Sequence, residues 1–118
     1  MRTAFRWLFF VALGAIVVGS LVPTSQVKSI FVVKDWLVHF TAYAFCGSLA
    51  AIGFASRPNR NRALLGLFLT GALIEIVQPY VGRHFGWYDL AANAMGTLAA
   101  AFAGTVWERT SAQSRNGN

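Results

Sequence analysis

Residues 35–55 read DWLVHFTAYAFCGSLAAIGFA, and this stretch decides the fold. After Asp35 it holds no Lys, Arg, Asp or Glu until Arg57. Trp36 to Ala55 is about 20 residues, or ~30 Å as a helix, which matches the hydrocarbon core of a bilayer. Working outward, three further apolar stretches have similar length: Phe5 to Val22, Ala63 to Val81, and Asp89 to Trp107. No strand-like alternation supports a barrel. Lipid forces each spanning segment to satisfy its own backbone, so the four stretches predict four helices (residues 5–22, 36–55, 63–81 and 89–107).

Composition agrees. Hydrophobic residues make up 56% of the 118 positions and charged residues 12%, about half the share of roughly 25% usual in soluble domains. A water-soluble chain of this size has too little interior to hide that surface. Disorder is excluded because there are too few charges to keep the chain solvated. The single cysteine, Cys46, rules out an intramolecular disulfide and reads as a small apolar filler. The net charge of +6 does not point to nucleic acid, because the basic residues lie in short groups between apolar stretches rather than in a patch.

The predicted fold is therefore an all-α integral membrane four-helix bundle with short loops. Pro23, Thr24 and Ser25 mark a turn in the longest connection. Residues 57–62 link helices two and three, and residues 82–88 link three and four. Short links make sequential helices antiparallel neighbours. Residues 108–118 read as a polar cytoplasmic tail with frayed structure. Arg2, Arg6, Arg57, Arg60, Arg62, Arg109 and Arg115 fall on one side, and Lys28, Lys34 and Arg83 on the other. The positive-inside rule then puts both termini in the cytoplasm of a multi-pass protein, with Trp7 and Trp107 at the inner interface and Trp36 and Trp87 at the outer one. Arg2 and Arg6 before an apolar run also suit a secretory leader, but the run is long for one and its end, Val18-Gly19-Ser20, is not Ala-x-Ala. The first helix is taken as retained.

Polar residues are unevenly placed. The inner half offers only hydroxyls such as Thr70 and Thr105, which bond their own helix. Towards the outer end, Asp35, His39 and Tyr43 recur every four residues on one helix face. Glu75 and Gln78 lie near the end of helix three, Arg83 and His84 follow in the loop, and Asp89 and Asn93 open helix four. Three helices thus bring polar groups to one level. A charged side chain in hydrocarbon costs at least ~2.5–3.5 kcal/mol, so Glu75 must be neutral or paired. Pro79, which lacks an N–H, frees the carbonyl four residues back. Plainer roles compete: N-capping for Asp35 and Asp89, interhelical hydrogen bonding for His39 and Tyr43, snorkelling for Arg83, and a plain loop position for His84. Small residues at Ala92, Gly96, Ala100 and Gly104 predict a close helix contact, inside the bundle or, as the alternative, in a homo-oligomer.

In their order and spacing these residues resemble the VanZ-like family of bacterial membrane proteins. The matching elements are Asp35, His39, Phe40 and Tyr43; Glu75 and Gln78; Arg83; and Asp89, Asn93 and Gly96. The resemblance spans residues 35–104. It departs from the family pattern at Trp36, where Lys is common, and in the aromatic loop of Phe85, Trp87 and Tyr88, which lacks a Pro-Gly before Arg83. It implies a bacterial inner-membrane protein linked to the cell envelope and, through the protein for which the family is named, to glycopeptide resistance. It carries over no catalytic residue.

Three functions fit the polar group, beside that of a structural partner protein using the Ala92–Gly104 stripe. The first is an outward-facing pocket of Asp35, His39, Tyr43, Glu75, Gln78, Arg83, Asp89 and Asn93. It would bind a membrane lipid head group, cell-wall precursor or glycopeptide, with Arg83 clamping an anionic group. The second is an intramembrane enzyme with His39, Glu75 and Asp89 as acid and base on a lipid-linked substrate. Those three residues are also a donor set for a divalent metal. However, no His-Glu-x-x-His or other metal or nucleophile motif is present, so neither metal nor cofactor is expected. The third is a small transporter subunit, which the plain inner half disfavours.

Overall fold

The computed structural model describes residues 2–22 and 35–117, with the side chain of Asp35 outside the description. The expected turn at Pro23–Ser25, the placements of Lys28 and Lys34, and the capping and binding roles of the Asp35 side chain therefore lie outside the described residues. Four helices are present: α1 (Arg2–Leu21), α2 (Asp35–Gly53), α3 (Arg57–Val77) and α4 (Trp87–Asn116). A 3-10 turn, Gln78–Val81, follows α3. All four helices are long and apolar enough to cross a membrane, and there is no strand among the described residues.

Both ends of α3 and of α4 differ from the sequence reading. Helix α3 starts at Arg57, not Ala63, so the supposed basic loop is its first turn. Ser56 caps it, its hydroxyl oxygen accepting the Asn59 N–H at 3.4 Å, and Pro58 sits where a missing N–H costs nothing. Helix α4 runs on to Asn116, which corrects the expectation of a frayed tail. No Gly or Pro intervenes between Gly104 and Gly117 to stop it. Thirty residues make a helix of ~45 Å, longer than the hydrocarbon core alone requires. Where α3 was read through to Val81, Pro79 ends the α-helix at Val77, and Gly82 turns the chain at φ 79°.

Helix α2 is the hub and packs against the other three. Its closest partner is α4. A Cβ on Gly96 would sit 2.6 Å from the Phe40 carbonyl oxygen, and one on Gly47 would sit 2.6 Å from Ala100 Cβ. The small-residue stripe is thus spent inside the chain. Ala92, Gly96 and Ala100 are buried against α2, as the packing reading of the stripe expects, and Gly104 is half-buried. A core of Phe9, Tyr43, Cys46, Leu49, Ala50, Leu64 and Leu67 fills the centre.

The surface is inverted relative to a soluble protein. Leu73 is 61% exposed and Phe102 72%, whereas Glu75 and Asn93 are at 0%. Apolar side chains outside and polar side chains inside is the arrangement that lipid favours. Trp87 opens α4 and Trp107 lies about 30 Å further along it, at the spacing of two membrane interfaces.

Candidate functional site

Helices α1 and α3 run one way while α2 and α4 return. The start of α1 and the far end of α4 therefore share one end of the bundle, here the termini end. The other, the loop end, carries residues 82–86. The polar candidates are at the loop end, and they divide into two groups.

The first group converges. His39 of α2, Glu75 of α3 and Asp89 of α4 each offer one donor atom within 4.8 Å of the other two. Glu75 is fully buried. Its Oε2 accepts the Gly86 N–H at 3.1 Å, which fixes the carboxylate, while Oε1 lies 3.8 Å from His39 Nδ1. Asn93, also fully buried, turns its Oδ1 to His39 and accepts from Nδ1 at 2.9 Å. An amide oxygen only accepts, so Nδ1 carries a proton. Nε2 lies 3.9 Å from Asp89 Oδ2, too far for a direct hydrogen bond. The Tyr43 ring lies parallel to that of His39, centroids 6.4 Å apart. It fits because residue 71 is glycine: a Cβ there would be 2.8 Å from the Tyr43 hydroxyl and 3.0 Å from Asn93 Nδ2.

Asp89 is not the N-cap of α4, which corrects that expectation. Gly86 holds the cap position and Asp89 lies in the first turn. A carboxylate there still meets the positive end of the helix, and Gly86 makes room for it, since a Cβ would come within 2.8 Å of Asp89 Oδ2.

Three buried side-chain atoms lack a hydrogen-bond partner among the described residues: Tyr43 Oη, Glu75 Oε1 and Asn93 Nδ2. Glu75 and Asn93 both flank His39. Orphaned buried polar atoms are rare, because each costs about 1–3 kcal/mol or more.

The second group serves α1. Gln78 Nε2 donates to the Ser20 carbonyl at 3.0 Å. Arg83 Nη1 donates to the carbonyls of Gly19 at 3.3 Å and Val22 at 3.2 Å. These are end-of-helix carbonyls with no intrahelical donor. Arg83, expected as an anion clamp, thus spends Nη1 on closing α1, and Gln78 does the same kind of work. His84 is exposed in the loop, near Trp87 and Tyr88, whose side chains also face outward.

The termini end holds functional groups that the sequence reading missed. Arg60, read as a loop charge, is buried, and its guanidinium grips the Glu108 carboxylate at both oxygens, Nη2 donating to Oε2 at 3.1 Å. Arg57 Nη2 lies 4.0 Å from the same carboxylate, and Arg2 Nη1 donates to the Ile52 carbonyl at 3.0 Å. The half of the bundle that holds the termini is therefore not chemically plain at its end. Nearer the middle, Thr70 and Thr105 do bond their own helices, donating to the Gly66 and Ala101 carbonyls. The Ser56-x-Pro58 helix start and the uninterrupted run after Gly104 were signals that Arg60 and Glu108 stand on helices, though not that they pair.

No family model matches the chain, no curated protein is similar to it at a meaningful level, and no solved structure matches its fold.

Proposed function

We propose that the chain is a multi-pass protein of the bacterial inner membrane, VanZ-like in kind, whose loop-end polar site faces away from the cytoplasm. There it binds the polar head of a membrane-resident envelope molecule, such as a lipid or a cell-wall precursor. The orientation rests on the seven Arg of the termini side against Lys28, Lys34 and Arg83. The observation that carries the binding reading is Glu75: a fully buried carboxylate with one oxygen unpartnered among the described residues, aimed at a histidine that a second buried residue holds in place. Structural glue has no use for such an oxygen, whereas a ligand donor would satisfy it. Trp87 and Tyr88 supply amphipathic rings at the depth of lipid heads. The binding residues are His39, Tyr43, Glu75, Asp89 and Asn93. Arg83 and Gln78 shape the rim by holding α1. A glycopeptide would reach the same site from outside.

A second reading is favoured by the placement of His39 between two carboxylates. Held in one tautomer by Asn93, it is equipped to move a proton with Glu75 and Asp89 on a lipid-linked substrate. Turnover that disappears in Glu75→Gln while binding persists would select it.

Native mass spectrometry of gently extracted protein tests the binding proposal. Wild type is expected to retain one envelope molecule that Glu75→Gln and Asp89→Asn lose. Equal retention in all three contradicts the proposal. Orientation is checked in a Cys46→Ala background. A membrane-impermeant maleimide added to intact cells should label His84→Cys and leave Ser114→Cys unlabelled; the reverse result overturns the topology.

A further inference from the structure

We propose that His39, Glu75 and Asp89 bind one divalent transition cation, of the Zn2+ or Mn2+ kind. The inference deepens the head-group reading and rests on it for the cation's use, although the binding itself stands on the three residues alone.

Three helices each contribute one donor, and the donor atoms lie within 4.8 Å of one another. Such spacing leaves a central position for an ion. With metal bonds of ~2.1 Å in a tetrahedral arrangement, ligand atoms stand roughly 3.4 Å apart, so the cluster tightens by about an ångström on loading. His39 and Asp89, whose side chains keep 11% and 18% of their exposure, have room for that movement. Glu75 is the fixed floor: Gly86 holds Oε2, while Oε1 has no hydrogen-bond partner among the described residues. That unpartnered oxygen is an observation independent of the clustering, and it points into the cluster.

The histidine is set up as metal ligands usually are. Nδ1 is held by an amide oxygen at 2.9 Å, which fixes the ring with Nε2 toward Asp89 at 3.9 Å and the Nδ1 edge 3.8 Å from Glu75 Oε1. One imidazole and two carboxylates suit borderline cations better than Mg2+ or Ca2+, which prefer all-oxygen shells. Three protein ligands also leave coordination positions open. Two carboxylates stand beside that opening, and Arg83 spends Nη1 on the α1 carbonyls. A bound cation adds positive charge there and supplies a contact for an anionic head.

The test uses tag-free protein in detergent, stripped with EDTA and titrated with Zn2+ by calorimetry, with Co2+ absorption as a second readout. One ion per chain is expected. Glu75→Gln and Asp89→Asn should each weaken binding at least tenfold, and Asn93→Ala should do so by a similar factor through the ring it holds. His84→Ala should bind as wild type does. Helicity and a monodisperse elution profile identify a variant that has not folded, and Asp89→Asn stands in where Glu75→Gln fails. Absence of binding, affinity unchanged in both carboxylate variants, or loss in His84→Ala overturns the site. A second arm places wild type in nanodiscs containing phosphatidylglycerol, with Zn2+ or with EDTA. Lipid binding that needs Zn2+ supports both inferences. Lipid binding equal in EDTA contradicts the cation's role and keeps the head-group reading. Zn2+ bound with no lipid preference supports the metal site and counts against the head-group reading.

Discussion

The two ends of this bundle solve the same problem in opposite ways. Each brings charged groups from separate helices to one level. At the termini end the account closes: Arg60 and Glu108 meet fork to fork, and Arg2 covers an α2 carbonyl. At the loop end it stays open around Glu75: its Oε1 stands 3.8 Å from His39 Nδ1 and has no hydrogen-bond partner among the described residues. A closed cluster stabilises a fold. An open one costs stability, and a protein keeps it where something else completes it.

The largest expected effect is at the closed end. Glu108→Ala strips the buried Arg60 of its partner. We expect a loss of about 2–3 kcal/mol, below the top of the range for broken buried pairs because Glu108 keeps 39% of its exposure. Unfolding in mixed micelles measures it, and a change near zero would erase the contrast between the ends. Arg60→Met sharpens it. Removing the buried charge itself, with the stem volume kept, should cost only about 1 kcal/mol. If Arg60→Met is the worse variant, the cost of a stranded charge is not what governs that end.

At the open end, Arg83→Ala should cost about 1 kcal/mol, since it uncovers the last carbonyls of α1. Faster amide exchange near residues 19–22, with Zn2+ affinity unchanged, is the expected signature. Lost metal affinity with unchanged exchange would move Arg83 into the site. The smallest effect is at His84. His84→Ala should stay within about 0.5 kcal/mol, as exposed loop substitutions do.

Much of this was legible in the sequence. Four apolar stretches of bilayer length imply four helices whatever their neighbours do. The four-residue recurrence of Asp35, His39 and Tyr43, with Glu75 near the end of its helix and Asp89 and Asn93 at the start of theirs, implies convergence once the helices are antiparallel. What stayed hidden depends on distance along the chain. Arg60 and Glu108 are 48 positions apart, and nothing local to either marks the pairing. That Arg83 Nη1 also covers the last carbonyls of α1 emerges only when the two are placed side by side. The N-cap role given to Asp89 failed because Trp87 and Tyr88, read as loop, already belong to α4. Charge density misled at residues 57–62, where three arginines resembled a loop although Ser56 and Pro58 spelled a helix start.

The central claim is that the Glu75 carboxylate is kept for a ligand at a cost to the fold. The most direct measurement is the stability of Glu75→Gln against wild type, in EDTA and again with saturating Zn2+. The account predicts a variant as stable as wild type or about 1 kcal/mol more stable in EDTA, and less stable than wild type once Zn2+ is present. A variant that loses 2 kcal/mol or so in EDTA, with Zn2+ changing nothing, would make Glu75 a structural group and contradict the account.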